Sequence, residues 1–170
     1  MGARFFVLIN KTMNNLTGNI NLLSTVNFKL ILNSNEFKNT EFFAISVNLP
    51  GIALNETTTP FRNQKGYTPG ETLDFEPLNI RLGVDEDFRG YTEIFNWMKS
   101  HTNQTDLKVT DITLCIMSSH NNINKKFLFK NAFPTSLGSI EFNVQAAEVE
   151  YAYVDVIFRY DSFEAEDELF

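Results

Sequence analysis

The sequence predicts a mainly β protein, an antiparallel β-sandwich or barrel with one packed α-helix. Several short segments alternate apolar and polar residues, which is the pattern of half-buried strands. A single segment shows helical periodicity instead. The chain also carries 17 Phe and five Tyr against one Trp, and aromatic residues of this kind are enriched in strands.

The alternation is clearest over residues 26–33, where Val26, Phe28, Leu30 and Leu32 share one face. Further strands are predicted over residues 41–48, 72–84, 111–117, 126–130, 139–144 and 148–160. In the last of these, Val154, Val156 and Phe158 share a parity, whereas Tyr151 and Tyr153 have the other. The buried face is therefore expected to switch near Tyr153, through a bulge or a change of partner strand.

One helix is predicted after residue 87. Tyr91, Ile94, Phe95 and Met98 follow each other at i, i+3, i+4 and i+7 and form an apolar stripe. The preceding residues 85–87, Asp-Glu-Asp, are expected to cap the helix and to complement its dipole.

The remaining segments are expected to be exposed. Residues 55–70 contain two prolines and two glycines, which predicts a loop with little regular structure. Residues 1–25 are interpreted as an N-terminal arm that folds onto its own domain or reaches a neighbouring subunit. The chain then divides into this arm, a β domain over residues 26–163, and an acidic tail over residues 164–170 that is expected to be loose.

Composition excludes several functions. A net charge of −7 argues against tight nucleic-acid binding, which needs clustered Lys and Arg. A single cysteine, Cys115, cannot form an intramolecular disulfide. No apolar run approaches the roughly 18–20 residues of a membrane span. We therefore expect no membrane association, and we expect the protein to fold in the cytoplasm.

The residues that could carry chemistry have simpler interpretations. Asp85, Glu86 and Asp87 could bind a metal, but no calcium-loop spacing follows them. His101 and His120 lie in polar segments away from Cys115, and the carboxylate pairs Asp74/Glu76 and Glu148/Glu150 also suit the charged outer face of a sheet. No phosphate-binding glycine loop or zinc spacing is present. We therefore expect no enzyme activity, no metal and no cofactor.

Three segments resemble a known family when they are taken in order. They are residues 133–142 (FPTSLGSIEF) with the β-ribbon that follows them to residue 163, residues 47–51 (VNLPG), and residues 78–97 with the acidic triplet and Trp97. This succession resembles the tail tube proteins of contractile-tailed bacteriophages, over roughly residues 26–163.

The resemblance implies a structural virion protein whose protomers close into homohexameric rings. Such rings stack into a conduit inside a contractile sheath, through which genomic DNA passes without specific binding. The implied partners are other copies of the chain, adjacent tube rings, and sheath, neck or baseplate proteins. The implied location is the phage tail, with assembly in the host cytoplasm. The expected subunit-interface residues are Tyr67, Pro69, Val149, Tyr151, Tyr153, Val154 and Val156.

Other hypotheses stay open at this point. A tail-completion or tube-terminator ring at the head-proximal end of the tube fits the same pattern almost equally well. Tube proteins of type VI secretion or of phage-tail-like bacteriocins fit it less well. Outside this family, the sequence also allows a monomeric β-sandwich binding module, or a hydrolase that uses Asp74 or Glu76.

Overall fold

The computed structural model describes residues 23, 25–33, 37–102, 108–143 and 151–166, and most of these residues are in β-strands. The strands are β1 (Phe28–Leu32), β2 (Ala44–Asn48), β3 (Ile52–Phe61), β4 (Gln64–Phe75), β5 (Leu78–Gly83), β6 (Thr110–Met117), β7 (Ile123–Leu137), β8 (Tyr153–Arg159) and β9 (Ser162–Glu166). The helices are α1 (Lys38–Phe42) and α2 (Arg89–Thr102). All strand pairs are antiparallel, which confirms the predicted fold class.

Seven strands form one bent sheet in the order β1-β6-β7-β8-β5-β2, with β9 also paired to β7. The long strand β7 belongs to both halves of this sheet. Its first part, Lys126–Lys130, lies opposite β9, and its second part, Phe133–Leu137, lies opposite β8. Strand β8 thus pairs with one part of β7 and strand β9 with the other part. Because β8 leads directly into β9, both β7 and the β8–β9 segment run through the two halves of the sheet.

The bend lies at Asn131, which has a positive φ of 54°. Asparagine tolerates this left-handed conformation better than most residues. The backbone N–H of Asn131 donates to Asp111 Oδ1 (3.0 Å), and its side-chain Nδ2 donates to Asp161 Oδ2 (2.7 Å). The N–H of Asp161 donates to the carbonyl of Lys130 (3.0 Å). These bonds join β6, β7 and the β8–β9 junction at one corner.

The two halves of the sheet share a single hydrophobic core. Leu30, Ile112 and Phe129 come from the half that contains β1 and β6, and Ile80, Val156 and Phe158 come from the half that contains β5 and β8. Because these side chains form one cluster, the halves face each other as the layers of a sandwich. The predicted apolar faces of residues 26–33, 78–84 and 111–117 point into the core, for example at Leu30, Leu82 and Leu114.

Helix α2 closes one side of this core. Ile94 and Trp97 are buried, and the Trp97 ring stacks on Phe37 with centroids 4.3 Å apart. The indole Nε1 donates to the carbonyl of Lys108 (2.7 Å). The predicted stripe is partly wrong, because Phe95 is 49% exposed. The inward face is rotated toward Trp97, whose large ring fills the space between α1 and β8.

Several predicted boundaries are wrong. The segment over residues 41–48 begins as the end of α1 and becomes strand only at Ala44. Residues 85–87 form a turn before α2, in which the N–H of Phe88 donates to the carbonyl of Asp85, so they do not cap the helix directly. Residues 139–143 have no regular structure, whereas residues 162–166, expected to be largely tail, form β9. Most of the predicted N-terminal arm, and the segment over residues 144–150 of the predicted strands, lie outside the described residues.

Candidate assembly surface

The most exposed element of the described chain is the hairpin formed by β3 and β4. It was predicted as an irregular loop over residues 55–70, and this prediction is wrong, since both strands are regular and paired with each other alone. Every residue of β3 is exposed, including Ile52, Leu54 and Phe61. An isolated two-stranded hairpin is only marginally stable in water, so apolar side chains on both its strands indicate a surface that a partner covers.

The hairpin continues the β2–β5 pair beyond the body of the sandwich. Asn48 lies opposite Asn79 in that pair, and Ile52 lies opposite Phe75 in the hairpin. The same number of residues separates these partners on both strands, so the register is unbroken. At about 3.3 Å per residue, a strand of 10 residues such as β3 extends roughly 33 Å.

An aromatic cluster holds the base of the hairpin on the body. The Phe75 ring lies 5.5 Å from Phe163 and 6.2 Å from Tyr160. The Tyr160 hydroxyl donates to the carbonyl of Glu76 (2.7 Å), and the Glu76 carboxylate in turn accepts from the N–H of Gly51 (3.2 Å). Burial raises the pKa of Tyr160 to about 12. The hairpin is therefore anchored to β8 and β9 and projects from a defined point.

The tip of the hairpin is basic and aromatic. Phe61 and Tyr67 are 65% and 62% exposed, and Arg62 and Lys65 are exposed beside them. No acidic residue occurs between residues 57 and 70. The Phe61 ring lies over Gly66, where an added Cβ would come within 2.7 Å of it. Closer to the body, a Cβ at Gly70 would meet the carbonyl oxygen of Asn55 at 2.4 Å, so the β3–β4 pairing requires glycine there.

The opposite end of the β5–β8 pair is acidic and aromatic. It consists of residues 85–88, which follow β5, together with residues 140–143 and 151–153. Phe142 is 71% exposed, and its ring lies 6.3 Å from that of Phe88. Asp85, Glu86, Asp87 and Glu141 supply four carboxylates, and Arg89 pairs with one of them, Asp87, at 2.7 Å. We call this surface the acidic end.

The predicted interface residues fall into three groups. Tyr67 and Pro69 are exposed on the hairpin, and Tyr151 and Tyr153 are exposed at the acidic end. Val154 and Val156 are instead buried in the core, because the inward parity of β8 begins at Val154. Buried side chains have no surface to offer a neighbour, so these two residues maintain the fold. Val149 lies outside the described residues.

The outer face of β5 and β8 is polar and carries an ion pair between Arg81 and Asp155, beside the exposed Arg159. Arg81 donates two hydrogen bonds to Asp155, from Nε to Oδ1 at 2.7 Å and from one terminal nitrogen to Oδ2 at 2.9 Å. The hydrogen bond from Arg81 lowers the pKa of the Asp155 carboxyl below its usual value. A paired guanidinium attracts phosphate less than a free one does, because the carboxylate already occupies its donors.

The residues considered for catalysis are dispersed over the described structure. His101 lies in the last turn of α2 with its ring 6.0 Å from Phe133, whereas His120 lies in the turn between β6 and β7. Cys115 is buried within β6. Asp74 is exposed on the hairpin, and Glu76 holds the hairpin base. Among the described residues, no three His, Cys, Asp or Glu side chains are grouped as metal ligands would be, and no helix of that part is long and apolar enough to span a membrane.

The chain is similar to known proteins in sequence and in fold. No protein-family model matches the chain. The tail tube terminator protein of Enterobacteria phage T4 is 29% identical over 157 residues, which cover 80% of this chain and 89% of that protein.

Two solved structures share the fold. A chain from the sheath/tube terminator of the extracellular contractile injection system PVC, in the extended state, superposes with a TM-score of 0.64 at 19% identity, over 88% of this chain and 99% of that one. A chain from the tube-terminating cap of the anti-feeding prophage superposes with a TM-score of 0.64 at 19% identity, over 91% and 97%.

The fold and the sequence similarity together indicate a protein that is similar to the structural tube terminators of contractile injection systems. The chain is homologous to the tail tube terminator protein of phage T4, and it shares the fold of tube and terminator chains of contractile injection systems. Its relatives in these comparisons are structural components, not enzymes. Between the two expectations drawn from the sequence, the terminator is supported better than the repeating tube subunit.

Proposed function

We propose that this protein is a tube terminator, which forms a homohexameric ring at the head-proximal end of a contractile tail tube. The observation that carries the proposal is the anchored β3–β4 hairpin, a regular projection whose apolar side chains are uncovered in the single chain. Its place on the fold of tube and terminator proteins, together with 29% identity to a terminator, indicates that the covering partner is a neighbouring subunit or ring.

Unpaired sheet edges support assembly into a ring. Within the described residues, β1 and β2 each pair with one strand and stand at the two ends of the strand order. Exposed edges are otherwise sites of uncontrolled association. In a closed ring of identical copies, one rotation relates every copy to the next, so each edge can be covered by a neighbouring copy.

The ion pair on the outer face of β5 and β8 and the negative charge of the chain suit the wall of a conduit for DNA. With Arg81 held by Asp155 and a net charge of −7 on the chain, such a wall repels phosphate more than it binds it. We infer that DNA passes the ring without specific contacts, and that the neighbouring components are the last tube ring and sheath or neck proteins.

Negative-stain electron microscopy with native mass spectrometry of the purified chain tests the proposal. A terminator should form closed rings of a single stoichiometry and should not grow into long tubes. Long hollow tubes would instead assign the chain to the repeating subunit. A stable monomer at all protein concentrations, above all one that binds a glycan, would contradict the ring and favour a binding module.

A further inference from the structure

The hairpin tip and the acidic end lie at opposite ends of the β2–β5 ribbon and carry opposite charges. The ribbon runs from the tip at Arg62 through the hairpin and β5 to Asp85. The tip has two cations and no acidic residue over residues 57–70, whereas the acidic end has four carboxylates, of which Asp87 is paired with the neighbouring Arg89.

Both surfaces also expose aromatic side chains that the single chain leaves uncovered. Phe61 and Tyr67 stand at the tip, and Phe142 and Tyr151 stand at the acidic end. Aromatic residues are enriched at the centre of protein interfaces, and polar and charged residues form the rim around it. Arginine and lysine also bind the faces of aromatic rings. The cations of the tip can therefore contact both the carboxylates and the aromatic rings of the acidic end.

We propose that the hairpin tip of one copy docks on the acidic end of a second copy, so that Arg62 and Lys65 meet Glu86 and Glu141, and Phe61 packs beside Phe142. This inference rests on the proposed ring-forming function and names the contact that joins its copies. The surfaces differ, so the contact is head-to-tail, and such a contact closes into a ring when the rotation between copies closes. Opposite potentials would also speed the encounter and disfavour tip-to-tip pairing.

Two charge-reversed variants test the contact. In one, Arg62→Glu and Lys65→Glu make the tip acidic, and in the other, Glu86→Lys and Glu141→Lys make the acidic end basic. All four side chains are exposed and lie outside the core, so both variants should fold with wild-type circular dichroism and Trp97 fluorescence. Each variant alone should need at least roughly tenfold more protein to assemble, because like charges then face each other.

The mixture of the two variants gives the decisive measurement. The reversed tip of the first variant matches the reversed acidic end of the second, and their unchanged surfaces also match each other. An equal mixture should therefore assemble at the wild-type concentration, with the two variants in equal amounts by native mass spectrometry. A control with the same charge change elsewhere, Lys99→Glu with Lys108→Glu, should assemble normally, because both side chains are exposed away from the tip, the acidic end and the edge strands. Added salt should weaken the wild-type contact, since it screens exposed charges.

The outcomes separate this contact from the proposed function. Wild-type rings together with unaffected Arg62→Glu/Lys65→Glu rings would overturn the docking proposal and leave the terminator standing. Loss of assembly in both variants without rescue on mixing would also overturn it, because the two surfaces would then bind something other than each other. A wild-type chain that never self-associates would overturn both proposals.

Discussion

Burial decides the role of individual residues in strand β8. Val154 and Val156 point into the core, whereas Tyr153 points outward from the sheet and is 47% exposed. The alternation in the sequence identifies the two parities correctly, but it cannot say which parity faces a partner subunit. That distinction depends on where the second half of the sheet lies, which is set by residues far away in the chain.

Substitution of Val156 by Asp should abolish folding and not merely assembly. The Val156 side chain is 0% exposed, and an unpaired carboxylate there costs several kcal/mol, which is comparable to the whole stability of a domain, about 5–15 kcal/mol. Tyr153→Asp, the matched exposed control, should retain the fold. Circular dichroism of both purified variants is the measurement. A folded Val156→Asp protein with only its assembly lost would contradict the placement of this residue in the core.

At the scale of elements, alternation predicts strands only where one face is buried. It works for β1, β5 and β6, whose inward residues meet the common core. It fails for the β3–β4 hairpin, since both faces are exposed and no apolar periodicity is required. Pro60 and Pro69 strengthen the impression of a loop, yet proline is tolerated in a strand whose outer edge is unpaired. The only local signal for the hairpin is its β-branched and aromatic content, Thr57–Thr59 with Tyr67.

Excision of the hairpin should separate assembly from folding. Residues 53–74 are replaced by Asn-Gly, a two-residue turn that suits antiparallel strands, so that Ile52 and Phe75, which lie opposite each other, flank the new turn. Phe75 then keeps its contacts with Tyr160 and Phe163. We expect a melting temperature within a few degrees of the wild type, because no residue of the excised segment is buried, and we expect assembly to be lost.

Thermal melts followed by circular dichroism and native mass spectrometry measure the two effects. The control is the full-length chain with Thr72→Ser, an exposed change that leaves the tip and the length of the hairpin intact and keeps the hydroxyl that accepts from Asn55. If the excised protein still formed rings at the wild-type concentration, the hairpin would not contribute to assembly. If it failed to fold, the hairpin would be part of the structural core of the chain, contrary to its exposure.

On the scale of the whole molecule, the two halves of the sheet are joined in ways that sequence patterns do not reveal. The strand β7 continues through Pro134 to Leu137, beyond the strand predicted over residues 126–130, and β9 pairs with residues 126–130. Both features depend on the corner at Asn131, whose partners Asp111 and Asp161 are 20 and 30 residues away in the sequence. Long-range hydrogen bonds of this kind have no periodic signature, so the sequence predicts the class of fold but not its connectivity.

Because β7 and the common core link both halves, the described fold should unfold in one cooperative transition. Trp97 reports on the side formed by α2 and β8, through its contacts with Phe37 and Phe158, whereas far-ultraviolet circular dichroism reports on all strands. Urea curves from the two probes should coincide. Asp161→Ala removes the acceptor of the Asn131 side chain and should cost about 1 kcal/mol. It should shift both curves equally, although the corner and Trp97 lie in different parts of the chain. A shift of the dichroism curve alone would mean that the halves unfold independently and that β7 does not couple them.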